Sequence, residues 1–504
     1  MKPSKRLSSR SPSRLSCGTI FRMLRLVSTL LLASAALFAA DRPNIVVLFA
    51  DDQRVDTIGA WGNPHIETPN IDNLVANGFS FKGNYCMGSF GGAVCVPSRA
   101  MLNTGKAFFR IPMDMSGEQT LGELMGEAGY STFGTGKWHN QRPSWQRSFQ
   151  KGKTIMFGGM SDHTNVPIDE LGPDGKLRSA GFSRVFSSEL FANSAIEFIN
   201  GHSGDDPFYV YVAFTSPHDP RQPPKRLRDY YYDWRNRPPL PPNFLPQHPF
   251  NNGNMAGRDE ELGPWPRTRD MVSDQLAEYY GMVTHLDEQV GRVVAALEHK
   301  GLLENTIIIY AADHGLAVGS HGLLGKQSVY EHSMRAPLIV SGPGVPKGGS
   351  TSALTYLLDI FPTILRLGEA EEPNGLDGED LRSIWEGKAE RVRDTLFLSY
   401  AKVMRAVRDQ RWKMIRYPHI NHTQLFDLEN DPHEMTNLAE EEDQKNRVAS
   451  LTAEMERWQK HLGDTQPLTS ENPIPMDIDM TNIQRSPDKW QPMWIIEKYF
   501  PKWF

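Results

Sequence analysis

Three short apolar runs, each ending in charged or ligand-type residues, constrain this chain more than any other feature. Asn44–Ala50 runs into Asp51-Asp52, Phe208–Phe214 into Ser216-Pro217-His218, and Thr306–Ala312 into Asp313-His314. Unbroken β-branched and aromatic runs read as strands buried on both faces, the mark of a parallel sheet covered by helices. In open α/β sheets, ligands bind beyond the carboxyl ends of the strands. Three such ends therefore predict one shared site. Asp274–Lys300 predicts a long amphipathic helix that feeds the third strand and stops at Gly301, with His285 a packed or solvated helix residue. Short runs at Thr395–Tyr400, Met404–Arg408 and Trp412–Arg416 predict a small antiparallel sheet.

A chain of 504 residues has room for one large α/β domain and a smaller one. Its first 40 residues carry seven Lys and Arg and no acid, then an apolar run from Leu26 to Ala40. That run is too short to span a bilayer and ends in small residues, so it reads as a secretory signal peptide, with Met23 as an alternative start. A membrane anchor is the competing reading. The expectation is an exported protein, periplasmic or secreted, with no stable membrane insertion once the signal is cleaved. Removing seven basic residues from a net charge of −6 leaves −13. So acidic a protein is a poor nucleic-acid binder, which needs clustered positive charge. Of three cysteines, Cys17 leaves with the signal, and Cys86 and Cys95 remain. In an exported chain, two cysteines ordinarily form a disulfide. The expected partition is 1–40 signal, 41–387 catalytic domain, 388–465 antiparallel subdomain and 466–504 a tail wrapping the surface. Asp219–Asp270, rich in Pro, Arg and aromatics such as Tyr230, Tyr231, Tyr232 and Trp234, is too long for a mere connection and reads as a functional loop.

The chemistry-bearing residues recur in a definite order. Asp51, Asp52 and Asp313 offer three carboxylates, which favour a hard cation such as Ca²⁺ or Mg²⁺, with His314 beside them. Cys95-Val96-Pro97-Ser98-Arg99 follows, where Pro97 suits the first turn of a helix running to about Leu102. The positive end of that helix would lie at residue 95, where an anion is welcome. In Gly134-Thr135-Gly136-Lys137-Trp138-His139, Lys137 and His139 are two apart, so extended backbone points both to one side. A lysine can neutralise an anionic substrate and a histidine can move protons. Pro217-His218-Asp219-Pro220 and Lys326, after Gly322-Leu323-Leu324-Gly325, complete the set; His321, His332, Lys106 and Arg335 are further candidates to line or approach it.

C-x-P-x-R at Cys95, G-x-G-K-W-H at Lys137 and His139, and P-H-x-P at His218, in this order, resemble the type I sulfatase family. The resemblance runs from about Arg42 to Leu438. It implies an alkaline-phosphatase-like α/β fold: a large mixed, mainly parallel sheet between helices, with a small C-terminal sheet of four antiparallel strands. It implies that Cys95 is oxidised by a maturation enzyme to Cα-formylglycine, whose hydrated aldehyde attacks sulfur. It places Asp51, Asp52, Asp313, His314 and the modified Cys95 around Ca²⁺, with Mg²⁺ the alternative. The same likeness assigns Arg99, Lys137 and Lys326 to charge stabilisation, His218 or Lys326 to protonation of the leaving oxygen, and His139 to release of sulfate. An exported enzyme with an aromatic loop over its site suggests a sulfated poly- or oligosaccharide as substrate, since aromatic rings stack on sugar faces. The rivals are a phosphonate or phosphate ester hydrolase of the same superfamily, and a non-catalytic glycan-binding homologue.

Overall fold

The computed structural model describes residue 1 and residues 42–500, except 205 and 488. The signal peptide expected at 1–40, with Met23 and Cys17, lies outside the described residues apart from Met1. The chain divides into Met1–Arg42 and one compact unit, Pro43–Phe504. Among the described residues, no helix is long and apolar enough to cross a membrane.

Five parallel strands form the centre of a ten-stranded sheet: β1 (Asn44–Asp51), β2 (Ser131–Lys137), β3 (Lys151–Met156), β4 (Phe208–Pro217) and β5 (Thr306–Ala312), in the order β5-β1-β4-β2-β3. The three apolar runs read from the sequence are thus adjacent strands, β4-β1-β5, and their carboxyl ends meet. Strand side chains alternate between faces. Ile45, Val47 and Phe49 enter one buried cluster with Leu121, Leu124, Ile360 and Phe361; Val46, Leu48 and Ala50 enter another with Phe191, Ile199, Leu286 and Val290. Both faces are covered by helices, which is why these strands carry no polar alternation. The long helix runs Arg269–His299, starting a turn earlier than the sequence suggests because Thr268 caps it through Met271 N.

Antiparallel strands flank the parallel core at 338–341 and 166–171, and the sheet is therefore mixed. The C-terminal sheet contains Leu396–Tyr400, Met404–Arg408, Trp412–Tyr417 and His422–Asp427, all antiparallel, and the Lys445–Leu462 helix packs Leu451 and Met455 into their shared core. It has a fifth strand that the sequence did not suggest. Gly88–Ser89, just before Cys95, pairs in parallel with Ser399–Tyr400. A Cβ at Gly88 would lie 1.8 Å from the Ser399 carbonyl oxygen, and its φ is +121°. Only glycine permits that approach, and through it the loop before Cys95 is tied to the C-terminal sheet.

Candidate active site

At the end of β1 the backbone turns sharply. Asp51 closes the strand, and Asp52 takes a left-handed φ of 66°. In regular strand geometry, neighbouring side chains point to opposite faces; the turn lets both carboxylates face the same hollow. Hydrogen bonds hold it there: Asp52 N donates to Asp313 Oδ1 (2.9 Å), and Tyr279 Oη donates to the Asp52 carbonyl (2.6 Å). The end of β5 supplies Asp313 and His314. Cys95 begins the Cys95–Thr104 helix, so the sulfur sits at its positive end.

These residues converge and are buried. One ligand atom each from Asp52, Cys95, Asp313 and His314 lies within 4.8 Å of the others. Asp51 stands beside this group, its Oδ2 2.5 Å from Lys137 Nζ and its Oδ1 3.4 Å from Arg99 Nη2. Lys326 Nζ donates to both oxygens of Asp52 (2.9 Å) and lies 2.8 Å from His218 Nε2. Lys137 and Lys326 reach the Cys95 sulfur at 3.6 and 3.7 Å, and His139 is near enough to lower its pKa. His139 arrives there through a left-handed φ of 64°, not through the extended backbone its spacing suggests. Gly136 makes the approach possible: its φ is +90°, and a Cβ there would lie 1.9 Å from the Ala213 carbonyl oxygen. Arg99 also donates to the Lys137 carbonyl (2.6 Å).

The electrostatics follow from burial and close charge. Burial alone would raise the Cys95 thiol, but Lys137 and Lys326 outweigh it and hold it well below its ordinary value. Burial and the nearby Asp51 and Cys95 push Asp313 up to about 8, against the pull of His314. Burial works against a charged His314, yet Asp313 and Asp52 push it up to about 9. Burial dominates at His139 and holds it below the usual histidine value.

A dication fits this cradle. Asp51 Oδ1, Asp313 Oδ2 and His314 Nε2 are buried and have no hydrogen-bond partner. Buried polar atoms that make no hydrogen bond are costly; three of them together, two from carboxylates and held only by ion pairs of 3.3 to 3.9 Å with Arg99 and one another, suit a hard cation. A thiol is a poor member of that shell, whereas an oxygen at position 95 would suit it.

The disulfide considered for Cys86 and Cys95 does not form, and both thiols are free and buried. Lys106 pairs with Glu118, and Arg335 donates to the Lys82 carbonyl, so neither joins the site. His321 stacks on Tyr330 and contacts the Glu434 carbonyl, and His332 lies near both rings; they brace the neighbouring wall. The Asp219–Asp270 segment divides. Tyr231 and Tyr232 bond Thr284 and Glu278 on the long helix, whereas Arg258 and Asp259 reach the site. The tyrosines therefore do not roof the pocket as the sequence suggested. Sequence reasoning also missed Asp219, Arg258, Asp259 and Gln491. Only Asp219, adjacent to His218, carried a local signal.

The family model described as Sulfatase matches residues 43–370, and that described as N-sulphoglucosamine sulphohydrolase, C-terminal, matches residues 319–461. The chain belongs to the sulfatase family, whose members are sulfuric ester hydrolases of the alkaline-phosphatase-like fold. It is 28% identical to an arylsulfatase of Clostridium perfringens, over 81% of this chain and 93% of that one. It is 26% identical to an N-acetylglucosamine-6-O-sulfatase of Bacteroides thetaiotaomicron, over 90% and 95% respectively. The fold is shared with a solved structure of BT4656 in complex with D-glucosamine-2-N,6-O-disulfate, with a TM-score of 0.73, 24% identity, and coverage of 85% of this chain and all of that one.

Proposed function

We propose that this sulfatase releases inorganic sulfate from a sulfated carbohydrate, using Cys95 in its formylglycine form and a divalent cation, Ca²⁺ in preference to Mg²⁺. The observation that carries the reading is the meeting of Lys137 and Lys326 on the Cys95 sulfur, beside a buried cradle of carboxylates. The carbohydrate is supported by the names of the Bacteroides relative and of the disulfated-glucosamine complex. Export, and a maturation enzyme that oxidises Cys95, belong to the same reading. So does the partition into a catalytic domain (41–387), an antiparallel subdomain (388–465) and a tail (466–504).

Asp51, Asp52, Asp313 and His314 would hold the cation, which would supply Lewis acidity, while formylglycine at position 95 would supply an oxygen nucleophile. The chain's own residues do the rest. Lys137 and Lys326, buried beside position 95, hold the negative charge of the sulfate oxygens. Preorganised charge of this kind is usually the largest catalytic contribution. Arg99 holds Asp51 from the far side at 3.4 Å and so fixes one wall of the cradle. His218 Nε2, next to Lys326 Nζ, passes a proton to the departing alcohol oxygen. His139, kept neutral by burial, accepts a proton at position 95.

The test is a panel of defined sulfated oligosaccharides, followed by sulfate release, beside nitrophenyl sulfate and its phosphate and phosphonate analogues. Sulfate esters should be preferred in kcat/KM; preference for a phosphorus ester would overturn the reading. The mass of the Cys95 peptide should show sulfur replaced by oxygen with loss of two hydrogens, and Cys95→Ala should abolish turnover without loss of fold. An unaltered thiol in active protein would remove the catalytic claim.

A further inference from the structure

The C-terminal segment beyond residue 461 lies outside both family-matched regions, yet it returns to the active site. It is anchored along its length. Asn251 N donates to the Met476 carbonyl (2.7 Å), and Arg485 donates to the carbonyls of Glu261 and Tyr499 (2.8 and 2.9 Å). The Met493–Tyr499 helix buries Ile495 and Tyr499 in a cluster with Tyr231, Met271, Leu276 and Phe500. Lys498 Nζ pairs with Asp274 (3.0 Å) and Glu278 (3.2 Å) on the long helix.

Between these anchors sits Gln491, 6% exposed. Its Nε2 donates to Asp219 Oδ2 at 3.2 Å, across 272 residues of chain. Asp219 is itself buried and fully engaged. Arg258 donates to Oδ1 at 2.8 Å and to Oδ2 at 2.5 Å, and His218 Nδ1 lies 3.2 Å from Oδ1. The Asp219 carbonyl oxygen lies 2.8 Å from the same His218 nitrogen. A carbonyl oxygen only accepts, so Nδ1 must carry the hydrogen. That leaves Nε2, beside Lys326 Nζ, as the nitrogen that exchanges protons with substrate.

We propose that Gln491 is a positioning residue for His218, acting through Asp219. The inference rests on the reading of His218 as the group that protonates the leaving oxygen. Physically, Gln491 supplies the last donor to a buried carboxylate that fixes the imidazole from behind. Being neutral, it adds that donor without disturbing the balance among Asp52, Asp219, Asp259, Arg258 and Lys326. The C-terminal segment thus makes a specific contribution to the chemistry, besides covering apolar surface.

A positioning role for a general acid has a signature that a purely structural role lacks. Loss of acid assistance penalises poor leaving groups and spares good ones. The experiment is a series of substituted phenyl sulfates whose phenols range from strongly to weakly acidic, with kcat and KM measured for the full-length enzyme. Gln491→Ala and Gln491→Leu should each lower kcat for the poorest leaving group about tenfold more than for the best, with KM changing less. His218→Ala should show the same bias, more strongly. Leucine keeps the volume and removes the donor, so a normal profile in Gln491→Leu overturns the proposal even if the alanine variant folds poorly. Equal losses across the series also overturn it, by assigning Gln491 a structural role. Bias in His218→Ala without bias in the Gln491 variants defeats the positioning role alone, whereas no bias in His218→Ala defeats the acid role of His218 and this inference together.

Discussion

Two buried charge clusters in this molecule look alike in composition and differ in how they are satisfied. One is the cradle of Asp51, Asp52, Asp313, Lys137, Lys326 and Arg99. The other joins the catalytic part to the C-terminal sheet: Glu331, Glu434, Lys413 and Arg408, with Tyr85. In the second, each carboxylate lies within 3.2 Å of a cation, although Glu434 Oε1 makes no hydrogen bond. Glu331 accepts from Tyr85 and pairs with Arg408 and Lys413, while Glu434 pairs with Lys413 at 2.8 Å and accepts from Glu331 N at 2.7 Å. In the first, the contacts at three atoms are longer: Asp51 Oδ1 and Asp313 Oδ2 lie 3.4 and 3.9 Å from Arg99, His314 Nε2 lies 3.3 Å from Asp313 Oδ2, and all three atoms are buried without hydrogen bonds. Burying charge is costly in both places. Where the donors and acceptors close on one another, the cluster is a joint between parts of the fold. Where they converge on common space, it is a site.

That contrast can be broken by substitution. The largest effect is expected at the joint. Lys413→Ala leaves two carboxylates buried without their shared cation and should destabilise by about 3–5 kcal/mol. Turnover per folded molecule should stay near normal; chemical denaturation paired with active-site-normalised kcat would measure both. In the cradle, Lys137→Ala in the calcium-loaded enzyme should invert the pattern, lowering kcat by about 10²–10³ with a smaller stability loss, because Asp51 keeps Arg99 and the bound cation as partners. A stability loss at Lys137 as large as at Lys413 would erase the distinction.

Cation removal sharpens the comparison next. Chelation should abolish activity and lower the melting temperature, and Ca²⁺ at about 100-fold its Kd should restore about 2.7 kcal/mol. Asp313→Asn should lose most of that calcium-dependent shift, whereas Glu434→Gln should retain it. The smallest effect is a pH slope at the joint. Burial pushes Glu434 up to about 7, against the pull of Lys413. An acid that binds its proton more tightly when folded contributes stability below its ordinary value near 4.5, and loses that contribution as pH rises through 7. Glu434→Gln should therefore flatten the fall in melting temperature between pH 4.5 and 7, and an unchanged slope would point to another group.

Legibility in the sequence followed locality. Cys95, Lys137, His139 and His218 lie in short motifs, and Asp51, Asp52, Asp313 and His314 each follow an apolar strand, so their grouping could be anticipated from chain order. The Asp219–Arg258–Gln491 array could not, because its members are drawn together by packing across 39 and 272 residues. Nor could the Gly88–Ser89 strand, two residues long and without apolar pattern. The aromatic loop misled for a related reason: composition marked it as special without saying which side of the long helix its tyrosines would face.

By itself, the sequence determined three of the five parallel strands and what chemistry stands at their ends, because burial on two faces is written locally; Ser131–Lys137 and Lys151–Met156 lack that unbroken apolar pattern. The tertiary structure decided which cations close on which carboxylates, which oxygens make no hydrogen bond, and that a glutamine near the C-terminus supports a histidine in the middle of the chain. Those outcomes depend on distances between distant segments, and such distances exist only once the helices and the second sheet have packed.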